Sequence, residues 1–502
     1  MTKRAPPPPR KKRSGKRPIR EPARPAAVVA PRVDPLVGLL AGHMQRGHGH
    51  DKAAVMALAE EIGRPRGFIP TGNVALDRAV GNRGGVPMGR FIEISGWERA
   101  GKSTMLDQII AQCQRMGGIA MLADTERARD RPYMESLGVD PSTLLWAMAS
   151  TAEEMFNEVE TFARGLAHQN TWAWVEALRR AGVKCPDPKL VKHTTFSTEK
   201  VKTKTGRDTR KKIAEFSFAQ WGADQAAALV AYQQAQGLVL SGYRDVVTRE
   251  RLRPVILMGS DADEQADALD CWERHEAHPY AIAADRPVVI GWDSVAGTPT
   301  DRERTNDAYD VTVADMAKAI RRNFRRLVMD LSDQAICFVM TNQRYTKVET
   351  GQAAFTSGPP KSETYGGGGI KFHATVRIEL TRIGGLWRTD TDRRAHRPPM
   401  GQITKIFIDK NKVGAPSRTE TYGLVNHRGA DNAYAIFEDL ASRGIIAQGG
   451  GWYRFTDSSI LESEPGGNKN WQSGWMGLSD LMADPQYPGL WGKMYRLYME
   501  GL

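Results

Sequence analysis

Two rhythms of apolar and polar positions take turns along this chain. Phe91 to Ile94 reads as a short buried strand, after which Leu106, Ile109, Ile110 and Cys113 recur at helical spacing and mark one face of a helix over Ser103 to Met116. The pair then repeats. Ile119 to Ala123 is strand-like, and Met155, Phe156, Val159 and Phe162 line a further helix. Val288 to Trp292 predicts a strand, Val313 to Leu327 a helix and Ile336 to Met340 a strand. This alternation predicts an α/β domain around a mostly parallel sheet. Thr375 to Thr381 and Ile403 to Ile408 instead alternate apolar with polar residues and predict an antiparallel extension.

The rhythm fails in two places. Residues 1 to 33 hold Pro6-Pro7-Pro8-Pro9, four further prolines and almost no large apolar side chain, so ordering them would cost more than burial returns. They predict a disordered tail. Order is expected to begin near Asp34, with Leu36, Leu39, Leu40 and Met44 at helical spacing and a second helical stretch over Ala53 to Ile62. The Gly47-His48-Gly49-His50 turn between them lacks further metal ligands and reads as a solvated turn. The second interruption runs from about His168 to Asp285. It carries Trp172, Trp174 and Trp221, a helix-like stretch over Ala226 to Tyr232, and seven Lys/Arg between Lys200 and Lys212. It reads as an insertion domain.

Charge sharpens this division. The 502 residues carry 70 Lys plus Arg against 58 Asp plus Glu, a net +12 that points to a polyanionic partner. Residues 1 to 32 alone hold eleven Lys/Arg and one acid, so the body is close to neutral and any nucleic-acid site on it must be local. The tail either tethers DNA or serves as a solubilising leader. No apolar run approaches the roughly eighteen residues that a membrane span needs. Cys113, Cys185, Cys271 and Cys337 stand far apart, without zinc spacing or a disulfide framework, which suits a reducing cytoplasm.

The strongest chemistry lies at Gly96-Trp97-Glu98-Arg99-Ala100-Gly101-Lys102-Ser103-Thr104, which fits the phosphate-loop pattern between a strand and a helix. Its glycines let backbone N–H groups face phosphates, Lys102 reaches the β and γ oxygens, and Ser103 ligates Mg²⁺. ATP and Mg²⁺ are the implied cofactors. Asp293 ends an apolar strand, the setting in which a carboxylate holds the Mg²⁺ shell, largely through water. Glu126 follows the strand ending near Asp124, at the same sheet edge, where it can polarise an attacking water.

At this point the residues resemble a family. Thr71-Gly72 with Leu76-Asp77, Gly84 to Ile94, the phosphate loop, Asp124-Thr125-Glu126, Leu137-Gly138-Val139-Asp140 and Asp293-Ser294-Val295-Ala296 look like the bacterial RecA recombinases, in their order. So do Thr341-Asn342-Gln343, Gly366-Gly367 before Lys371-Phe372, Val376-Arg377 and Lys410-Asn411-Lys412. The resemblance covers about Leu36 to Leu424 apart from the insertion, and more loosely the region through Gly451-Trp452-Tyr453.

What it implies is carried over position by position. Glu126 matches the catalytic glutamate, Asp130 and Tyr133 match residues beside the adenine, and Gln343 matches the glutamine that senses the γ-phosphate. A DNA-binding loop would run from Arg344 to Gly369, with Lys347, Tyr365, Gly366, Gly367, Gly368 and, just beyond it, Lys371 as contacts. The alternative for this stretch is a plain flexible linker. A first loop near Arg302 to Thr312 would lead into a helix whose Arg321, Arg322, Arg325 and Arg326 either meet DNA or form a solvated face. Lys410 and Lys412 match lysines that reach the ATP of a neighbouring subunit, and Phe372 matches a residue at that boundary, the alternative being an ordinary core phenylalanine. Thr71-Gly72 resembles a segment that joins subunits by strand addition.

The expected fold is therefore a RecA-like ATPase core over 76–425 with a mostly parallel central sheet and the insertion at 168–285. An N-terminal oligomerisation segment at 34–75 would precede it, and a small C-terminal α+β domain at 426–502 would follow. The expected function is an ATP-dependent recombinase that forms helical filaments of its own copies on single-stranded DNA and exchanges strands with a homologous duplex. Two rivals stay open on the sequence: a hexameric helicase or packaging motor on the same fold, and a DNA-coating filament that uses ATP only to assemble. The insertion departs from the family pattern, and so does the end of the chain, Tyr495 to Leu502, which is not an acidic tail.

Overall fold

A computed structural model describes residues 65, 67–81, 83–163, 166, 287–305, 315–346, 362–462 and 469–501, together with the backbone of five strands between 188 and 257. The basic tail, the helices expected over 36–62, the histidine turn, the tryptophans and helical stretch of the 168–285 segment, and Cys185 and Cys271 lie outside the described residues.

The elements that build the site are β1 (Phe91–Gly96), α1 (Lys102–Arg115), β2 (Ile119–Asp124), β3 (Leu144–Ala147), β4 (Val288–Asp293), α2 (Asp315–Asp333), β5 (Ile336–Thr346), α3 (Gly367–His373), β6 (Val376–Leu386), β7 (Gly401–Asn411), β8 (Thr419–Val425), β9 (Gly429–Asp431) and α4 (Asn432–Ser442). The strands form one sheet in the order β9-β8-β7-β6-β1-β5-β4-β2-β3, with Ser362–Thr364 pairing beside β5. The six from β6 to β3 run parallel, and β7, β8 and β9 extend the sheet antiparallel. The sequence places Thr375 to Thr381 in the antiparallel extension, yet β6 is parallel to β1. Its apolar and polar alternation reflects one fully buried face and one half-buried face and says nothing of strand direction.

Successive strand residues face opposite sides, and the burial pattern follows suit. Ile92, Ile94, Val289, Cys337 and Val339 enter one core, against Leu106, Ile109 and Ile110 of α1. Phe91, Ile290, Trp292, Phe338 and Met340 enter the other, against α2 and the helix over 152–163. The second core is aromatic: Phe91 stacks on Phe324 at 4.3 Å, and Phe156 meets Trp292 edge-on at 5.4 Å. Residues 426–502 add α4, a hairpin of Ile446–Gly449 and Trp452–Phe455, and helices Gly474–Ala483 and Leu490–Met499. Their buried side chains continue the first core. α2 runs beyond its expected end at Leu327 because Leu331, four residues on, is also buried.

Within the 168–285 segment, Pro188–Thr194, Lys212–Phe218 and Val255–Leu257 form an antiparallel sheet with Lys212–Phe218 in the middle. Val201–Lys202 pairs with Asp208–Thr209, so the basic stretch lies in the connection between the first two strands. Among the described residues no helix is long and apolar enough to cross a membrane.

Candidate functional site

The C-terminal ends of β1, β2, β4 and β5 share one edge of the sheet, where ligands of such folds bind. β1 delivers Gly96 to this edge, and the loop that follows turns into α1 at Lys102. Positive φ at Arg99 (59°) and Gly101 (90°) gives the backbone alternation that makes an anion-binding nest. Gly96 has no room for a side chain, since a Cβ there would sit 2.5 Å from the Leu380 carbonyl oxygen. From β7, Gln402 Nε2 donates to the Arg99 carbonyl at 2.8 Å and props the loop from behind. Lys102 Nζ donates to the Trp97 carbonyl at 2.9 Å. Burial depresses the ammonium, while Asp293, Glu126 and Glu98 pull the other way. Trp97, Glu98 and Arg99 are exposed, Gly101, Lys102 and Ser103 half-buried, and Ala100 and Thr104 buried.

The acids gather beside the loop. Asp293 lies directly opposite Asp124 in the β4–β2 register. Asp293 Oδ1 accepts from the Thr341 hydroxyl of β5, and the Asp293–Ser294 peptide is cis. Glu126 is exposed, and its Oε1 accepts from the Ser294 hydroxyl, which in turn accepts from Gly297 N–H at 3.1 Å. A Cβ at Gly297 would lie 2.7 Å from Glu126 Cγ, so the absence of a side chain there leaves room for the glutamate. On the other side, Tyr133 OH and Thr104 Oγ1 share a hydrogen bond of 3.0 Å, and the Tyr133 ring meets His427 edge-on at 6.0 Å. Asp130 is the exposed N-cap residue of the short helix Arg131–Ser136.

Four participants escape the sequence reading: Arg129, Asp107, Ser294 in its bond to Glu126, and His427. Arg129 is buried, with Nη1 paired to Asp107 Oδ1 and Nη2 2.6 Å from Asp293 Oδ2. Its backbone N–H donates to Asp124 Oδ2 at 3.1 Å, and Nη1 donates to the Ser103 carbonyl at 3.2 Å. Burial alone would depress the guanidinium, but Asp107, Asp293 and Asp124 outweigh it. Burial pushes the Asp107 carboxyl up to about 7, against the pull of Arg129. The one sequence signal is an acid beside Leu106 with no basic residue three or four positions away on its helix.

Asp124 Oδ1 is buried without a hydrogen-bond partner, spare capacity that suits a cation or its water shell. Among the described residues no three His, Cys, Asp or Glu side chains form a cage for a metal ion. A divalent cation here would draw most of its ligands from phosphate and water, as Mg²⁺ does.

β5 connects this edge to the glycine-rich loop. Gln343, half-buried, pairs with Gly96 itself, and the next residues, Arg344 to Thr346, pair with Ser362–Thr364. Residues 347–361, including Lys347, lie outside the described residues. Arg344 is engaged within the chain, by Glu379 and the Ser362 hydroxyl. Tyr365 is exposed and packs on Tyr345 at 4.9 Å. Gly366 (φ 82°) and Gly367 (φ 62°) open α3, and a Cβ at Gly366 would lie 2.6 Å from Ile320 Cδ1. These glycines thus serve the packing of α3 on α2, whereas a Cβ at Gly368 would meet nothing within 4 Å. Arg321 and Arg322 are exposed on α2, and Lys371 is exposed on α3.

At the end of β7, Lys410 Nζ donates to the carbonyls of Lys371 (2.6 Å) and Phe372 (3.0 Å). Lys412 borders a cavity of about 470 Å³ with Phe372, His373 and Arg90, and Phe372 is 74 % exposed. The lysines and Phe372 therefore share one surface of the chain; Lys410 pairs with Arg377 at the start of β6, whereas Gly96 of the phosphate loop pairs with Leu380 further along that strand.

The family model of the RecA N-terminal domain matches residues 41–168 and 257–431, more than half of the chain. The chain belongs to the RecA family. The gap in the match, 169–256, falls within the segment that breaks the β–α rhythm. The chain is 24 % identical to Protein RecA of Acidothermus cellulolyticus over 417 residues, covering 83 % of this chain and 82 % of that one. It is 24 % identical to Protein RecA of Rubrobacter xylanophilus over 418 residues, 83 % of each. With Protein RecA of a Mycobacterium species (strain KMS) it shares 23 % identity over 440 residues, 88 % of each. The α/β architecture with its large parallel-centred sheet is the RecA-like core.

Proposed function

We propose that this chain is an ATP- and magnesium-dependent recombinase that polymerises on single-stranded DNA, pairs it with a homologous duplex and exchanges strands. The observation that carries this reading is the course of β5, whose Gln343 adjoins the phosphate loop and whose continuation enters the glycine-rich loop. A γ-phosphate and a DNA strand would thus act on two ends of the same short segment. Ser103 and Asp293 would hold Mg²⁺, largely through water, and Mg²⁺ would neutralise charge on the phosphates. Lys102 would bind the β and γ oxygens, and Glu126, oriented by Ser294, would take the proton of the attacking water. Tyr133 and Asp130 would flank the adenine. Lys410, Lys412 and Phe372, grouped on one surface of the chain, suit a role at the ATP of a neighbouring subunit. Lys347, Tyr365 and Gly366 to Gly368, with Lys371, Arg321 and Arg322, would face DNA. Arg344 would first have to exchange Glu379 for phosphate.

Electron micrographs of the full chain with single-stranded DNA and a slowly hydrolysed ATP analogue test this. Helical filaments, together with DNA-stimulated ATP turnover and strand exchange, are expected. Closed rings would favour a motor, and filaments without stimulated turnover would favour a structural coat.

A further inference from the structure

Arg129 places a buried positive charge against a carboxylate that the proposed function assigns to a metal ion. Nη2 lies 2.6 Å from Asp293 Oδ2, and the other carboxylate oxygen already accepts from Thr341. The guanidinium is shared with Asp107, whose side chain is 1 % exposed, and Arg129's is 7 % exposed. Neither Nε nor Nη2 of Arg129 finds an aligned hydrogen bond, although both are buried. As a pure stability device this is a poor arrangement, because buried ions are costly and are replaced without loss by apolar residues of similar volume in several proteins. The imperfect alignment leaves the Arg129 head two partners to choose between, one of them the metal-side carboxylate.

We propose that Arg129, held back by Asp107, is a positioning residue that sets how much Mg²⁺ the nucleotide site requires. The guanidinium competes with the cation for the Oδ2 edge of Asp293, and Asp107 draws it away. Weakening Asp107 shifts the guanidinium towards Asp293 and raises the Mg²⁺ demand. Removing the pair exposes the full charge of Asp293 and lowers it. Ser103 and Asp124 feel the same group, through the Ser103 carbonyl and the Arg129 backbone, so the effect is local to the metal side of the site. This inference rests on the reading of Ser103 and Asp293 as the Mg²⁺ side of an ATP site.

The test is equilibrium binding of a fluorescent ATP analogue to the full chain as MgCl₂ is titrated, with no hydrolysis measured. Asp107→Asn should raise the half-saturating Mg²⁺ concentration, and the Asp107→Leu, Arg129→Leu double variant should lower it, each by roughly tenfold, the size expected for a unit charge moved at such range in a partly screened site. Arg129→Lys, which keeps the charge, should stay near the parent. Thermal unfolding reports whether each variant folds, and Asp107→Asn with Arg129→Gln replaces the leucine pair if that pair does not. Unchanged Mg²⁺ dependence in the folded variants, or shifts of both in the same direction, would overturn the inference. A parent protein that binds the analogue without regard to Mg²⁺, or not at all, would instead overturn the ATP–Mg²⁺ reading beneath it.

Discussion

Two buried arginines, Arg78 and Arg129, each hold two carboxylates, and they are built to opposite standards. Arg78 makes a bidentate bond to Glu420 (2.8 and 3.0 Å), bonds Asp439 at 3.0 Å and the Tyr498 carbonyl at 2.8 Å, and lies 3.9 Å above the Tyr498 ring. It ties the helix Val74–Val80 to β8, α4 and the C-terminal helix Leu490–Met499. Arg129 has charges close by, but its Nε and Nη2 lack aligned bonds, and Asp107 Oδ1 and Asp124 Oδ1 nearby share that deficit. A saturated network clamps, because any displacement breaks several bonds at once. An unsaturated one retains capacity for something that arrives later. The same residue types thus form a saturated clamp between Val74–Val80, β8 and α4, and an unsaturated cluster beside the phosphate loop.

The largest expected effect separates chemistry from folding at that edge. Glu126→Gln keeps the side chain's shape and its bond to Ser294 while removing the base, so ATP turnover should fall roughly 10²- to 10⁴-fold with nucleotide binding and melting temperature little changed. Near-parental turnover would remove Glu126 from its role. Arg78→Leu should do the reverse. It strands Glu420 and Asp439, a loss of about 3–5 kcal/mol in denaturant unfolding, with the Mg²⁺ dependence of nucleotide binding unchanged in whatever remains folded.

A smaller effect should appear with pH. Asp77, next to Arg78, is raised from 3.8 to about 6 by burial, against hydrogen bonds from Thr71. The folded state therefore holds this proton more tightly than the unfolded chain, so the parent is favoured below pH 4 and loses that advantage as pH rises towards and through 6. Asp77→Asn should flatten this part of the stability–pH curve, by roughly 1–3 kcal/mol across the window. A parallel pair of curves would refute the assignment. The smallest contrast lies in the glycine loop. Gly366→Ala meets Ile320 and a left-handed backbone and should cost about 1–2 kcal/mol, while Gly368→Ala meets open space and should stay within about 0.5 kcal/mol.

How legible each part was follows from the range of the interactions involved. The strands of the parallel centre are buried on both faces, so Val288-Val289-Ile290 and Ile336-Cys337-Phe338 announce themselves as apolar runs. The phosphate loop is a local backbone device and is equally plain. β5 runs on through Asn342, Gln343 and Arg344, polar residues held in strand form by pairing with β1 and Ser362–Thr364, and no local pattern records such pairing. The sheet of Pro188–Thr194, Lys212–Phe218 and Val255–Leu257 was missed among charges for the same reason. Asp107 lies on α1 and Arg129 in the loop after β2, and only the fold reveals that each is the other's counter-ion.

Viewed through amide hydrogen exchange, β5 is two strands joined end to end. Phe338 to Met340 have strand partners on both sides, and Thr341 to Gln343 keep β1 alone. Beyond them, Arg344 to Thr346 hold only to a three-residue strand. The first group should exchange only when the whole domain opens, the last whenever that short ladder melts. Gln343 stands at the changeover between the slow clock and the fast one, the last residue of β5 paired to β1 and the neighbour of the first that depends on the short ladder alone.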